Sequence, residues 1–163
     1  MATEKEIRDN SFKGINILYY SLVAGQIMIA AILFYWVTDG TREVGFSWEM
    51  DNPFHLIVPT LVLASIVMST FLYNSRLREG RSQNGFFEKL KHYRVTIIIK
   101  SALMEGANLI CLISFFMTQN YFFLFLFFIG LAAFLVVRPS VQVFKDNYKL
   151  TEEERMELRK MTS

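Results

Sequence analysis

Four apolar stretches, about 15–37, 54–73, 95–117 and 121–137, divide this chain of 163 residues, and each is long enough to cross a hydrocarbon layer. The first, INILYYSLVAGQIMIAAILFYWV, rises about 34 Å as a helix, slightly more than the roughly 30 Å of a bilayer core. The fourth is the shortest, close to the lower limit of about 17 residues. A chain that crosses lipid must satisfy its backbone polar groups within each segment, and unbroken apolar runs of this length do so as α-helices. With 53% hydrophobic residues, 16 Phe and the charges gathered in a few blocks, too little sequence remains for a soluble domain.

The expected fold is therefore all-α and polytopic. A four-helix transmembrane domain over 15–138, built as two antiparallel hairpins, stands between a short tail, 1–14, and a charged, amphipathic tail, 139–163. Lys5, Arg8 and Lys13 precede the first stretch as they would in a signal peptide. That stretch exceeds a signal core of about 7 to 15 residues, and no small-x-small site follows Tyr35 and Trp36, so a retained helix is expected.

Basic residues give the orientation. Lys5, Arg8 and Lys13, then Arg76, Arg78, Arg81, Lys89, Lys91 and Arg94, then Arg138, Lys145, Lys149, Arg155, Arg159 and Lys160 make 15 of the 17 Lys and Arg, all on one side of a four-span arrangement. The other side holds Arg42 among Asp39, Glu43, Glu49 and Asp51. The positive-inside bias places both termini in the cytoplasm. The Phe- and Ile-rich composition, the single Cys and the retained first span suit a bacterial inner membrane.

The connections carry further expectations. Trp36 and Trp48 flank the acidic loop as interfacial anchors, and Asn52 with Pro53 reads as N-cap and first residue of the second helix. Only Thr118, Gln119 and Asn120 separate the third and fourth stretches, which makes those helices antiparallel neighbours. Asn84 and Gly85 mark a turn, after which Phe86, Phe87, Leu90 and Tyr93 interleave with Lys89, Lys91 and Arg94 as a short interfacial helix that sets topology, the alternative being recognition of an anionic lipid head group or a partner. Val141, Phe144 and Tyr148 recur at helical spacing, as in a segment lying along the membrane surface. Thr151 and Glu154 form a capping box for a final helix whose Arg159 and Lys160 oppose its dipole.

Catalytic and metal chemistry find no constellation. His55 and His92 fall on opposite sides of the membrane, and Cys111 is the only cysteine, within the third span. GxSxG, HExxH and glycine-rich phosphate loops are absent from the sequence. Neither an enzyme, a cofactor, a metal nor a nucleic-acid partner is expected; the expected partners are the lipid bilayer and either another membrane protein or further copies of the chain.

Glu105 remains, the one acid deep in an apolar stretch. At 100° per residue Ser101 lies about 40° and Asn108 about 60° to one side of it, with Ala102 about 60° to the other. Gln26 occupies a similar depth in the first span, so Glu105, Gln26, Asn108 and Ser101 are expected to form an interhelical polar cluster in the bundle interior, with Glu105 carrying a proton. Lys100 points some 140° away and is expected to snorkel to the head groups. Ser21 and Gly25 on the first span, and Ala102 and Gly106 on the third, offer small-xxx-small faces for close helix contact.

Two tandem hairpins resemble the proteolipid subunits of rotary ATPases, and LYYSLVAGQIMIA is similar to their first helices. Those proteins place the ion-binding carboxylate on the second helix of a hairpin, whereas Glu105 is on a first helix, so the resemblance implies architecture and not rotor activity. The expected function is that of a structural or accessory component of a membrane complex. The alternative is a small proton- or cation-coupled carrier that works through Glu105 as an oligomer.

Overall fold

The computed structural model is all-helical and describes residues 4–39, 44–47, 53–83, 85–136 and 138–162, with side chains described from Phe12 to Leu158. Its helices are α1 (Glu4–Thr38), α2 (Phe54–Arg81), α3 (Phe86–Thr118), α4 (Tyr121–Val136), α5 (Val141–Tyr148) and α6 (Glu152–Thr162). Trp48, Asn52 and Asn84 lie outside the described residues.

Three helices, α1, α2 and α3, are long and apolar enough to cross a membrane, and there are four if α4 and α5, which meet at a 67° bend, count as one broken span. This architecture is compatible with a multi-pass membrane protein. At 16 residues α4 is about 24 Å long by itself. Helices α1, α2 and α3 have 35, 28 and 33 residues, so at roughly 52, 42 and 50 Å they outreach a bilayer core of about 30 Å.

The excess length of α2 and α3 falls at the basic end and revises the expected interfacial segment. Residues 76–81 continue α2, and Phe86 to Arg94 are the first turns of α3 itself. Lys, Arg, Glu and Leu propagate a helix well, so the charges that end the apolar run do not end the helix. The reversal rests on Gly85, whose φ of 99° is open to glycine and strained for other residues.

Helix α3 is the hub, packing against α2, α4 and α1. Among the described residues α1 and α2 make no comparable contact, and the helices gather around α3, with α1 against α3 as expected. The α3–α4 turn is as short as the sequence indicates: Gln119 takes the left-handed conformation (φ 54°) and donates its N–H to Phe115 O at 2.8 Å. Along the apolar section Cys111, Leu112 and Phe115 of α3 meet Phe123, Phe127 and Phe134 of α4 in one buried core.

A second core closes the basic end. Ile15, Leu77, Phe86, Leu90, Tyr93 and Ile97 pack with Phe144, Tyr148, Leu150 and Leu158, joining α1, α2 and α3 to the tail helices. Phe144 and Tyr148 are therefore buried against the bundle rather than laid on a membrane surface, because aromatic side chains on the protruding stalk cover them. Ser140 caps α5, accepting from Val143 N–H at 3.1 Å. The capping box of α6 forms as read: Thr151 N–H donates to Glu154 Oε2 at 2.8 Å, and Glu154 N–H to Thr151 Oγ1 at 3.3 Å.

Candidate functional site

Gln26 and Asn108 face each other from α1 and α3, each 1% exposed, and Asn108 Nδ2 donates to Gln26 Oε1 at 2.8 Å. The same registry places Ile15 and Tyr19 of α1 beside Ile97 and Ser101 of α3, and Phe34 beside Phe115. It follows from two helices in contact with apolar residues at helical spacing on both sides of each amide. Asn108 Oδ1 lies against Gly130 of α4, where any Cβ would overlap it. Glycine at 130 therefore makes room for the amide. Gln26 Nε2 is buried and has no hydrogen-bond partner among the described residues.

Glu105 is not brought into this pair. It is half-buried, on the face of α3 that also carries the exposed Ile98 and Ala102, and has no hydrogen bond or ion pair with the described residues. The physical reason is angular: α1 approaches α3 over the Ile97, Ser101 and Asn108 side, which leaves Glu105 on the flank. Ser101 is buried beside Tyr19 and Met104, next to an interior space of about 10 Å³, the size of one water.

The small residues also fall elsewhere. Ser21, Ala102 and Gly106 are exposed, and a Cβ on Gly25 or Gly106 would meet no atom within 4 Å, so no close backbone approach occurs there. Side chains make the α1–α3–α4 contact instead: Tyr19 stacks on Phe134 (4.9 Å between centroids) and donates its hydroxyl to Phe134 O at 2.6 Å. Lys100 is buried with its ammonium 4.5 Å from the centre of the Tyr73 ring, and does not snorkel.

Two further polar assemblies were not foreseen from the sequence. At the loop end Asn120 Nδ2 donates to Ser47 O at 2.7 Å and lies 3.0 Å from His55 Nε2, while its Oδ1 accepts from Phe122 N–H at 3.0 Å. Gly45 N–H and O bridge to Gln119 O and Tyr121 N–H at 3.3 and 3.0 Å, so residues 45–47 are tied to the α3–α4 turn. At the basic end Lys89 Nζ donates to both carboxylate oxygens of Glu154 at 3.0 and 2.9 Å, with side chains 8% and 12% exposed. Burial opposes ionisation of Glu154, but the hydrogen bonds from Lys89 and Thr151 and the Lys89 charge outweigh it and hold the carboxyl below its ordinary range. Thr151 was read as a cap; the buried lysine that completes this site lies on another helix, 65 residues earlier.

His55 sits in the first of these assemblies, whereas His92 lies at the basic end with Nδ1 3.0 Å from the Tyr148 hydroxyl. Among the described residues no group of three His, Cys, Asp or Glu is placed to hold a metal ion. Comparison with protein-family models, with curated proteins and with solved structures finds no match to this chain.

Proposed function

We propose that this chain is a structural or accessory subunit of a membrane complex, without enzymatic activity, and that Glu105 is its attachment point. The observation that carries this reading is a half-buried carboxylate, midway along an apolar helix, with no partner among the described residues. In hydrocarbon such a group is costly, and a donor from a helix outside the chain relieves that cost. Of the in-chain candidates, Asn108 donates to Gln26, and neither amide reaches Glu105.

The subunit has four spans, α4 being the last, with both termini in the cytoplasm of a bacterial inner membrane. Support for the fourth span comes from α4 itself, which runs from Tyr121, beside Phe34 and Phe115, back to Phe134, beside Tyr19. The basic residues gathered at the end that holds both Phe12 and Leu158 support the orientation.

The test is photo-crosslinking in the native membrane from position 98 of the tagged full-length chain. A discrete crosslinked polypeptide, kept in Glu105→Gln and lost in Glu105→Leu, is expected. Crosslinking to lipid alone would overturn the reading. Proton-coupled flux by the purified chain in proteoliposomes, abolished in Glu105→Gln, would establish the carrier instead, because Gln has no proton to release.

A further inference from the structure

Helices α2 and α3 leave between them a groove on the side of the molecule away from α1. One part, of about 390 Å³, is apolar and floored by small residues, among them Ala64 and Ser65 of α2 and Ala102 and Gly106 of α3. A second part, of about 210 Å³, opens toward the basic end and is lined by Arg76, Gln83, Glu88, Lys91, His92 and Val95. The two parts are in line. On α3 the positions 88, 92, 95, 102, 106 and 110 recur in steps of three, four or seven and so form one stripe; on α2 the positions 61, 65 and 68 do the same, Arg76 follows eleven residues, about three turns, after Ser65, and Gln83 lies just past the helix end.

The mouth is organised for an anion. Arg76 Nε donates to Thr96 Oγ1 at 3.2 Å, and that hydroxyl donates onward to His92 O at 2.8 Å, which fixes the guanidinium across the groove. Its two Nη groups have no hydrogen-bond partner among the described residues, and the bidentate face they form suits a phosphate. His92 Nε2 is buried without a hydrogen bond, and Lys91 is exposed on the rim. Two acids are near: Glu88, which is exposed and also lines the mouth, and Glu79, which is 68% exposed with a carboxylate oxygen 3.7 Å from His92 Nε2. Beyond the mouth, the apolar section from Ala102 to Ile110 covers about 12 Å of helix, close to the depth of one leaflet of a core roughly 30 Å thick.

We infer that this groove holds one anionic glycerophospholipid, its phosphate on Arg76 and Lys91 and one acyl chain against Ala102 and Gly106. The basic groups of the mouth, the apolar floor and their alignment together match a lipid, which joins an anionic head group to an acyl chain. The inference does not depend on Glu105, which does not line the groove.

The full chain, reconstituted in nanodiscs of phosphatidylcholine with an equal part of phosphatidylglycerol and released into mild detergent, is examined by native mass spectrometry. One tightly retained phosphatidylglycerol is expected, preferred over phosphatidylcholine by about tenfold, the scale of one or two basic contacts. Arg76→Gln should remove the head-group preference, Gly106→Leu should reduce retention of both lipids, and Lys145→Gln, a basic change away from the groove, should alter neither. Leu at 106 enters open space, so folding is preserved, and thermal unfolding checks each variant. Equal retention of the two lipids by the wild type would overturn the inference. So would an equal loss in Lys145→Gln, which would mean unspecific attraction to the basic end, or a co-purifying polypeptide crosslinked to position 106.

Discussion

Asn108 and Gln26 form a single hydrogen bond of 2.8 Å between two fully buried amides, and a glycine on a third helix is what leaves room for it. The bond fixes the axial register of α1 on α3 in a region where apolar packing alone discriminates weakly between registers. Polar side chains act in this way when every alternative leaves an amide unsatisfied in hydrocarbon.

Asn108→Ala removes the donor, leaves Gln26 without any partner among the described residues and opens a small cavity. A loss of about 1–3 kcal/mol is expected. Unfolding in mixed micelles measures it, and in a double-mutant cycle with Gln26→Leu the two changes should combine for less than their sum.

Gly130→Ala should be at least as damaging, although alanine is the better helix former. Its Cβ would overlap Asn108 Oδ1, so either the amide rotates away from Gln26 or α4 moves from α3. A loss of about 1–3 kcal/mol follows from overpacking. In an Asn108→Ala background the same substitution should become nearly neutral, and that reversal separates the steric cause from a general intolerance of α4.

The apolar stretches, the tight α3–α4 turn and the capping box at Thr151 were legible because each is local: hydropathy, loop length and a four-residue spacing report them directly. Gln26 and Asn108 were legible as candidates from their depth in the spans. The side on which Glu105 falls was not, because a helical wheel gives angles within α3 but not the direction from which α1 arrives. The stalk was misread at Arg76 to Arg94 because hydropathy marks where lipid ends, whereas helices end where capping or a glycine such as Gly85 stops them. The joining of Ser47 to Asn120 lies 73 residues apart and uses backbone atoms, which carry no sequence signal.

Lys89 and Glu154 should make attachment of α6 depend on pH. The folded-state pKa of Glu154 is lowered, so its contribution is fully present above the unfolded value of about 4.3 and is lost as pH falls through the lower folded value. The protection of amides in residues 152–158, taken relative to the intrinsic exchange rate, should therefore fall below about pH 4.3 before that of the rest of the protein does. Glu154→Gln should show that faster exchange already at pH 7, with a loss of about 1.5–3 kcal/mol for the charged hydrogen bonds, and should abolish this part of the pH dependence.

Asn120 ties the chain before α2 to the α3–α4 turn with three of its hydrogen-bonding directions in use: Nδ2 to Ser47 O, Nδ2 beside His55 Nε2, and Oδ1 accepting from Phe122 N–H. Asp keeps the acceptor but replaces the donor to Ser47 O with an oxygen, and so sets two acceptors against each other in a site where Asn120 is 5% exposed. Asn120→Asp should thus release residues 45–47 at neutral pH, whereas Asn120→Ala releases them without repulsion. A cysteine placed at 46 and labelled from the aqueous phase should react faster in both variants than in the wild type, and lowering the pH should, relative to the general loss of thiolate, slow it further in Asn120→Asp alone, because a protonated carboxyl regains a donor. Equal labelling of the wild type and both variants would show that Gly45 and its two backbone bonds hold the segment without Asn120.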